Sequence, residues 1–198
     1  MLELLSLQRL HVGPIDLRLD AGECIAIQGR SGSGKSVLLR MAADLDPHEG
    51  DCALDGNRCS RMPAPAWRRQ VTYVAPDSGW WAEAIADHFD SPAALRALLP
   101  RVGLATEAVE WPVARLSTGE RQRLALLRAV ANAPRVFLLD EPTSGLDLDT
   151  RHQVEALLRE QLQGGSAILL VTHDPELAER LAHRRFTMDA GGLHQGAA

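Results

Sequence analysis

The hydrophobic period changes along this chain, and the changes mark its elements. Over residues 2–19 apolar and polar positions alternate loosely, which predicts two half-buried strands joined by a turn around Gly13-Pro14. A second turn at Ala21-Gly22-Glu23 precedes an unbroken apolar run at 24–27, read as a short buried strand. A glycine-rich loop then leads into a helical pattern over about 35–45, and 71–75 reads as another strand. Residues 76–114 have a different texture: helical patterns at 82–89 and 93–102 are broken by prolines, with no strand signal between them. Beyond that stretch the periods alternate regularly. A helix over about 118–132 leads to a buried strand at 136–139, and a helix over about 148–163 stops at Gly164-Gly165. A strand at 167–172 and a helix at 175–183 follow. Strands alternating with helices predict an α/β fold: a mostly parallel sheet covered on both faces, with the N-terminal strands as a small antiparallel part. The expected organisation is one domain over 1–198, with a core of 1–75 and 115–198 and a short helical insert at 76–114.

Composition narrows the function classes. The 198 residues suit one domain, and 45% hydrophobic with 24% charged residues is ordinary for a globular chain with a sizeable core. A net charge of −5 supplies no basic field for wrapping nucleic acid. Cys24, Cys52 and Cys59 are odd in number and lack CxxC spacing, which argues against a disulfide framework or a thiolate zinc site. No apolar run approaches the ~18 residues of a membrane helix, so a cytoplasmic chain is expected. One count is more telling. Twenty of the 21 basic residues are arginine, and the single lysine stands at position 35.

That lysine lies in Gly29-Arg30-Ser31-Gly32-Ser33-Gly34-Lys35-Ser36, which fits the phosphate-loop pattern GxxxxGK followed by Ser or Thr. Glycines let backbone amides turn inward around phosphate oxygens, and a helix beginning at Lys35 adds its positive end. Lys35 would reach the β- and γ-phosphates, and the Ser36 hydroxyl would ligand Mg²⁺. A plain glycine-rich turn explains the glycines but not the lysine, whose compact charge differs from arginine's planar fork. The apolar run at 136–139 ends in Asp140-Glu141. Carboxylates after a strand usually just cap the next element. Beside a phosphate loop, Asp140 supplies the metal's second anchor and Glu141 a base for the attacking water. Ser117 and Glu120 form an S-x-x-E capping box ahead of an apolar helix. The hydroxyl and free amides of Ser117-Thr118-Gly119 also make an anion site there, and the two readings are compatible.

Taken in order, the phosphate loop, LSTGE at 116–120, VFLLDEP at 136–142, SGLD at 144–147 and VTHD at 171–174 resemble the ATP-binding subunit of an ABC (ATP-binding cassette) transporter. The resemblance covers nearly the whole chain. It implies a phosphate-loop NTPase (RecA-like) core that binds ATP through residues 29–36, with Ser36 and Asp140 holding Mg²⁺. Glu141, His173 and Lys35 would carry hydrolysis, His173 touching the γ-phosphate and the attacking water. It also implies a head-to-tail dimer with a second copy. In that dimer Ser117 and Gly119 contact the γ-phosphate held by the other chain, and Thr118, Glu120 and Asp147 lie at the same interface. The membrane partner would be a separate permease, holding this chain peripherally on the inner face of the membrane. The compact length and short insert look similar to the small ATPases of a group that includes bacterial metal exporters. Two alternatives are a soluble ABC ATPase outside transport and a module that binds ATP but hardly hydrolyses it.

Departures from the family pattern stand at known positions. Thr118 replaces a glycine and Glu120 a glutamine of the pattern LSGGQ. Where a base-stacking aromatic is usual, residues 7–12 offer only His11 and Val12. Pro76 occupies the glutamine position that should follow the strand at 71–75, and it has neither an amide side chain nor an N–H. Trp80 and Trp81 are adjacent and cannot both face one core. Either one of them, taken as Trp80, meets the membrane subunit in the groove that lies beside this region in related transporters, or both pack into the insert. Arg68-Arg69 reads as a solvated turn.

Overall fold

The computed structural model describes residues 1–196, arranged around two sheets. Strands β1 (Leu2–Arg9), β2 (Val12–Leu19), β4 (Glu49–Leu54) and β5 (Asn57–Arg58) form an antiparallel sheet in the order β2-β1-β4-β5. The second sheet runs β10 (Gly192–Gln195), β9 (Arg184–Asp189), β3 (Cys24–Gln28), β8 (Ala167–Val171), β7 (Val136–Asp140), β6 (Val71–Val74). All its pairings are parallel except β10 with β9. Helices α1 (Lys35–Ala42), α2 (Ala64–Gln70), α3 (Pro92–Leu98), α4 (Thr118–Ala131), α5 (Leu148–Gln163) and α6 (Pro175–Leu181) connect and cover the strands.

The apolar runs are continuous because alternate residues face two different cores. Ile25, Ile27, Leu138, Leu169 and Val171 pack with Leu38 and Leu39 of α1 and with Leu4 and Leu7 of the antiparallel sheet. Phe137, Leu139, Ile168 and Leu170 face the other way, toward Leu124 of α4, Leu157 of α5 and Leu177 of α6. Parallel pairing brings the carboxyl ends of β3, β6, β7 and β8 to one edge, where the chemistry-bearing loops leave the sheet.

Several boundaries differ from the sequence reading. The turn between the first strands is Leu10-His11, with Leu10 at φ 54, and Gly13-Pro14 lies inside β2. The pattern at 35–45 overshoots, because Ala43 caps α1 and Asp44 turns left-handed at φ 54. Strands β4 and β9 escape the pattern because they open on Glu-Gly-Asp and Arg-Arg, residues that say little about strand. Arg68 and Arg69 are solvated as expected but form the last turn of α2, and Trp67 of that helix is fully buried with its Nε1 donating to Ala42 O at 3.0 Å. Segment 76–114 is less helical than the pattern proposed. Beside α3 it holds short 3₁₀ turns at Ile85–His88, Leu99–Val102, Thr106–Glu110 and Val113–Arg115. Ser91 caps α3 by accepting from Ala94 N at 3.2 Å, and Pro100 and Pro112 keep the turns short. Its buried Ile85, Leu95, Leu99 and Val102 join the cluster under α4 and α5, so this segment packs on the second face of the sheet.

Candidate functional site

Residues 29–34 wrap between β3 and α1, with Gly29, Gly32 and Gly34 in conformations only glycine takes easily. Gly29 has φ 144 and Gly34 φ 104; a Cβ at the first would meet the Met188 carbonyl and at the second the Val12 side chain. Lys35 opens α1, only 7% exposed, and its Nζ donates to Gly29 O at 2.8 Å and Arg30 O at 2.9 Å. An ammonium has three donors, so the loop's own carbonyls aim the group and leave one N–H for a ligand. Ser33 Oγ is buried with no partner, a further polar atom inside the same loop. Ser36 is exposed at the first turn of α1, and Arg30, Ser31 and Gly32 are exposed on the loop's outer side. These features fit a phosphate chain.

The loops after β7 and β8 meet this one across a cleft of about 400 Å³, lined among others by Gly32, Lys35, Ser36, Asp140, Glu141 and His173. Asp140, 3% exposed at the end of β7, accepts a hydrogen bond from the Tyr73 hydroxyl at 2.9 Å. Burial first, and Asp140's charge second, hold that phenol protonated far above the ordinary range. Glu141 sits at φ 53, a strained position for a non-glycine residue. Its backbone is fixed from three sides: its N donates to Val171 O at 2.9 Å, and its carbonyl accepts from Gln122 Nε2 at 2.5 Å and from Ser144 N at 3.2 Å. The His173 amide donates to Glu141 Oε2 at 3.2 Å, while Oε1 has His173 Nε2 at 3.4 Å and accepts no hydrogen bond. Burial raises the Glu141 carboxyl; the His173 amide and ring and the Lys35 charge offset that only in part. A carboxyl raised by burial, with one free oxygen facing a cleft, suits a base. Among the described residues no group of three or more His, Cys, Asp or Glu side chains forms a metal cage.

The other expected residues lie elsewhere. Those lining the cleft include none of Ser117, Thr118, Gly119, Glu120 or Asp147. Ser117 caps α4, its Oγ accepting from Glu120 N at 3.3 Å and donating to Glu120 Oε2 at 2.8 Å; Oε2 also accepts from Ser117 N at 2.8 Å. The Ser117 amide bond, ahead of the cost of burial, holds the Glu120 carboxyl below its usual range. Asp147 caps α5 through Thr150, whose backbone N–H is the main reason its carboxyl is also lowered. Of the paired tryptophans the more exposed is Trp81, at 70%, while Trp80, the one expected at the interface, is half-buried. Trp80 is half-buried against the insert's core, because the turn that follows presses it on His88, ring centres 4.8 Å apart. His11 and Pro76 both line the cleft. Two residues with site contacts escaped the sequence reading. Tyr73 had one signal, being the chain's only tyrosine and three residues before Pro76, whereas Gln122 looked like any polar residue of a capped helix.

A family model described as ABC transporter matches residues 12–144. The aliphatic sulfonates import ATP-binding protein SsuB 3 of Pseudomonas syringae pv. tomato is 42% identical over 194 residues, 90% of this chain and 67% of that protein. Its counterpart SsuB of Pseudomonas entomophila is 40% identical over 196 residues, 94% of this chain and 70% of that protein. Two solved structures superpose over 100% of both chains at 24% identity and share the fold. One is a dimeric bacterial ABC transporter cassette, at a TM-score of 0.84; the other is an ATP-binding cassette dimer in a post-hydrolysis state with ADP and phosphate, at 0.83. Neither relative is named as an exporter, so the similarity drawn from length and insert to metal exporters finds no support.

Proposed function

Because this chain belongs to the ABC transporter family as an ATP-binding protein, we propose that it hydrolyses MgATP between two head-to-tail copies and so drives a separate membrane permease. The observation that carries this reading is a division of the site. Lys35, Ser36, Asp140, Glu141 and His173 line one cleft, while Ser117 and Gly119, at the N-terminus of α4, are not among its lining residues. A γ-phosphate in the cleft is thus left open on the side that a second copy's 117–120 would close. Relatives named for aliphatic sulfonate import favour import of a small organic anion of that class. No helix among the described residues is long and apolar enough to cross a membrane; the separate permease is assigned from relatives named as ATP-binding proteins of import systems. Residues 76–114 are taken as the helical subdomain that faces it, with 1–75 and 115–198 as the nucleotide-binding core.

In this mechanism the loop amides of 29–34 and the α1 N-terminus cradle the phosphates, and Lys35 neutralises the β- and γ-oxygens. Ser36 and Asp140 would hold Mg²⁺, which when bound supplies charge neutralisation across the β- and γ-phosphates. Glu141 takes a proton from the attacking water at its free Oε1. His173 orients Glu141 through its amide and presents its ring beside Oε1. The test is Glu141→Gln, which keeps the shape and removes the proton acceptor. Turnover is expected to fall by about 10²–10⁴-fold. Nucleotide binding should persist, and gel filtration with MgATP should show a dimer. Wild-type turnover in this variant would overturn the reading.

A further inference from the structure

The chain's only tyrosine donates its hydroxyl to Oδ2 of Asp140 at 2.9 Å, and no other described side chain hydrogen-bonds that carboxylate. Register makes this contact specific. In the parallel pairing of β6 and β7, Tyr73 lies opposite Leu138. Strand side chains alternate, so Tyr73, Leu138 and Asp140 share the face that carries α1 and the phosphate loop. Asp140 stands two residues beyond Leu138, about 6.6 Å farther along the strand. A phenol pointing along the strand is long enough to cover that distance and ends in a donor. The rest of this strand and its exit offer nothing equivalent: the Thr72 hydroxyl is given to Arg68 O, and Pro76 has neither side-chain donor nor N–H. Tyr73 is not among the residues that line the cleft, whereas Pro76 and Asp140 are.

We propose that Tyr73 is a positioning residue for metal binding: it fixes Asp140 by one oxygen, Oδ2, and leaves Oδ1 to the cation or its water. In this chain it is the outer contact that remains where a glutamine side chain is missing at 76. The inference rests on the MgATP reading of the cleft. Outer partners of a liganding carboxylate set its orientation, and removing one commonly costs about 10–100-fold in metal affinity. A tyrosine that merely buried its hydroxyl on the nearest acceptor would affect stability and nothing metal-dependent.

The test compares Tyr73→Phe with the wild-type chain, using a fluorescent ATP analogue titrated in EDTA and then over a range of Mg²⁺ concentrations. Melting in EDTA checks that the variant is folded. The expected result is unchanged affinity in EDTA and a Mg²⁺ midpoint about 10–100-fold higher. In an Asp140→Asn background the same substitution should no longer move the midpoint, since the two side chains act as one unit. An unshifted midpoint overturns the proposal, and so does an affinity loss of equal size with and without Mg²⁺. If the wild-type chain itself binds the analogue no better with Mg²⁺, the MgATP reading falls and this inference with it.

Discussion

The loops at the carboxyl ends of β3, β7 and β8 and the segment at 76–114 both present charged and aromatic groups, but they hold them differently. In the loops the lysine and the candidate base are held through backbone groups. Two carbonyls aim Lys35, and three backbone contacts pin Glu141 at a left-handed φ. In the insert the groups are held by one another. Arg128 of α4 lies over Trp80 at 4.9 Å and over Trp81 at 4.8 Å and donates to Gly79 O at 3.2 Å, while Trp81 stays 70% exposed. Backbone fixation suits chemistry that tolerates little displacement of the reacting atoms. Stacked, half-solvated aromatics suit a surface that is completed by a partner. The contrast is testable by substitution on each side.

The largest effect belongs to the fixed side. Lys35→Ala removes the one cation the loop aims inward, leaving bound phosphate charge unpaired in a buried site. The expected loss of nucleotide affinity is about 3–5 kcal/mol, roughly two to nearly four orders of magnitude, read by calorimetry. Lys35→Arg should fail as well, because a planar fork cannot take the place of a point charge between Gly29 O and Arg30 O. Normal binding by the arginine variant would show that the loop adapts, and the comparison with the insert would lose its basis.

Pro76 lies where the two regions join, on the cleft wall and at the start of the insert. Pro76→Gln restores an amide that can reach the metal or the attacking water. Hydrolysis is expected to rise, or the Mg²⁺ needed for half-maximal rate to fall, by up to about 10–100-fold. Asp77 is no substitute in this geometry: it is exposed and off the cleft wall, so Asp77→Ala should leave the rate as it was. A rate unmoved by Pro76→Gln assigns Pro76 to the shape of the insert instead.

The same contrast explains what the sequence could disclose. The motifs at 29–36, 140–141 and 173 were legible because backbone geometry demands particular residue types at fixed spacing, and the alternating cores made the parallel strands plain. The insert was harder to read. Its 3₁₀ turns are too short to develop a period, and its prolines punctuate without saying what lies between them. Strands β4 and β9 were lost for a related cause: their partners, β1 and β3, decide their conformation more than their own residues do. Tyr73 and Gln122 act across elements, Tyr73 from β6 to β7 and Gln122 from α4 to the loop after β7, so no local pattern could reveal them.

The smallest effects separate the two tryptophans, which one sequence step makes neighbours and one turn of chain sends to different duties. Trp80 packs on the insert's core with its ring edge against buried His88, so Trp80→Ala opens space under α4. Stability is expected to fall by about 2–3 kcal/mol, seen in thermal melts, somewhat less than for a fully buried large side chain. Trp81 gives up only its contacts to Arg128 and to His88, ring centres 4.4 Å apart in the second case, so Trp81→Ala should cost about 0.5–1 kcal/mol of stability. Its larger consequence lies in binding. An exposed tryptophan over a desolvated arginine, whose guanidinium is lowered by burial, is the kind of group that anchors an interface. Trp81→Ala is therefore expected to weaken capture of the chain by its detergent-solubilised permease about tenfold, roughly 1.4 kcal/mol. Phenylalanine at 81 should restore part of that, since it keeps an aromatic face for Arg128. Should Trp80→Ala weaken permease capture while Trp81→Ala leaves it intact, the partner surface lies on the buried side of this pair, and the insert is fixed as firmly as the loops.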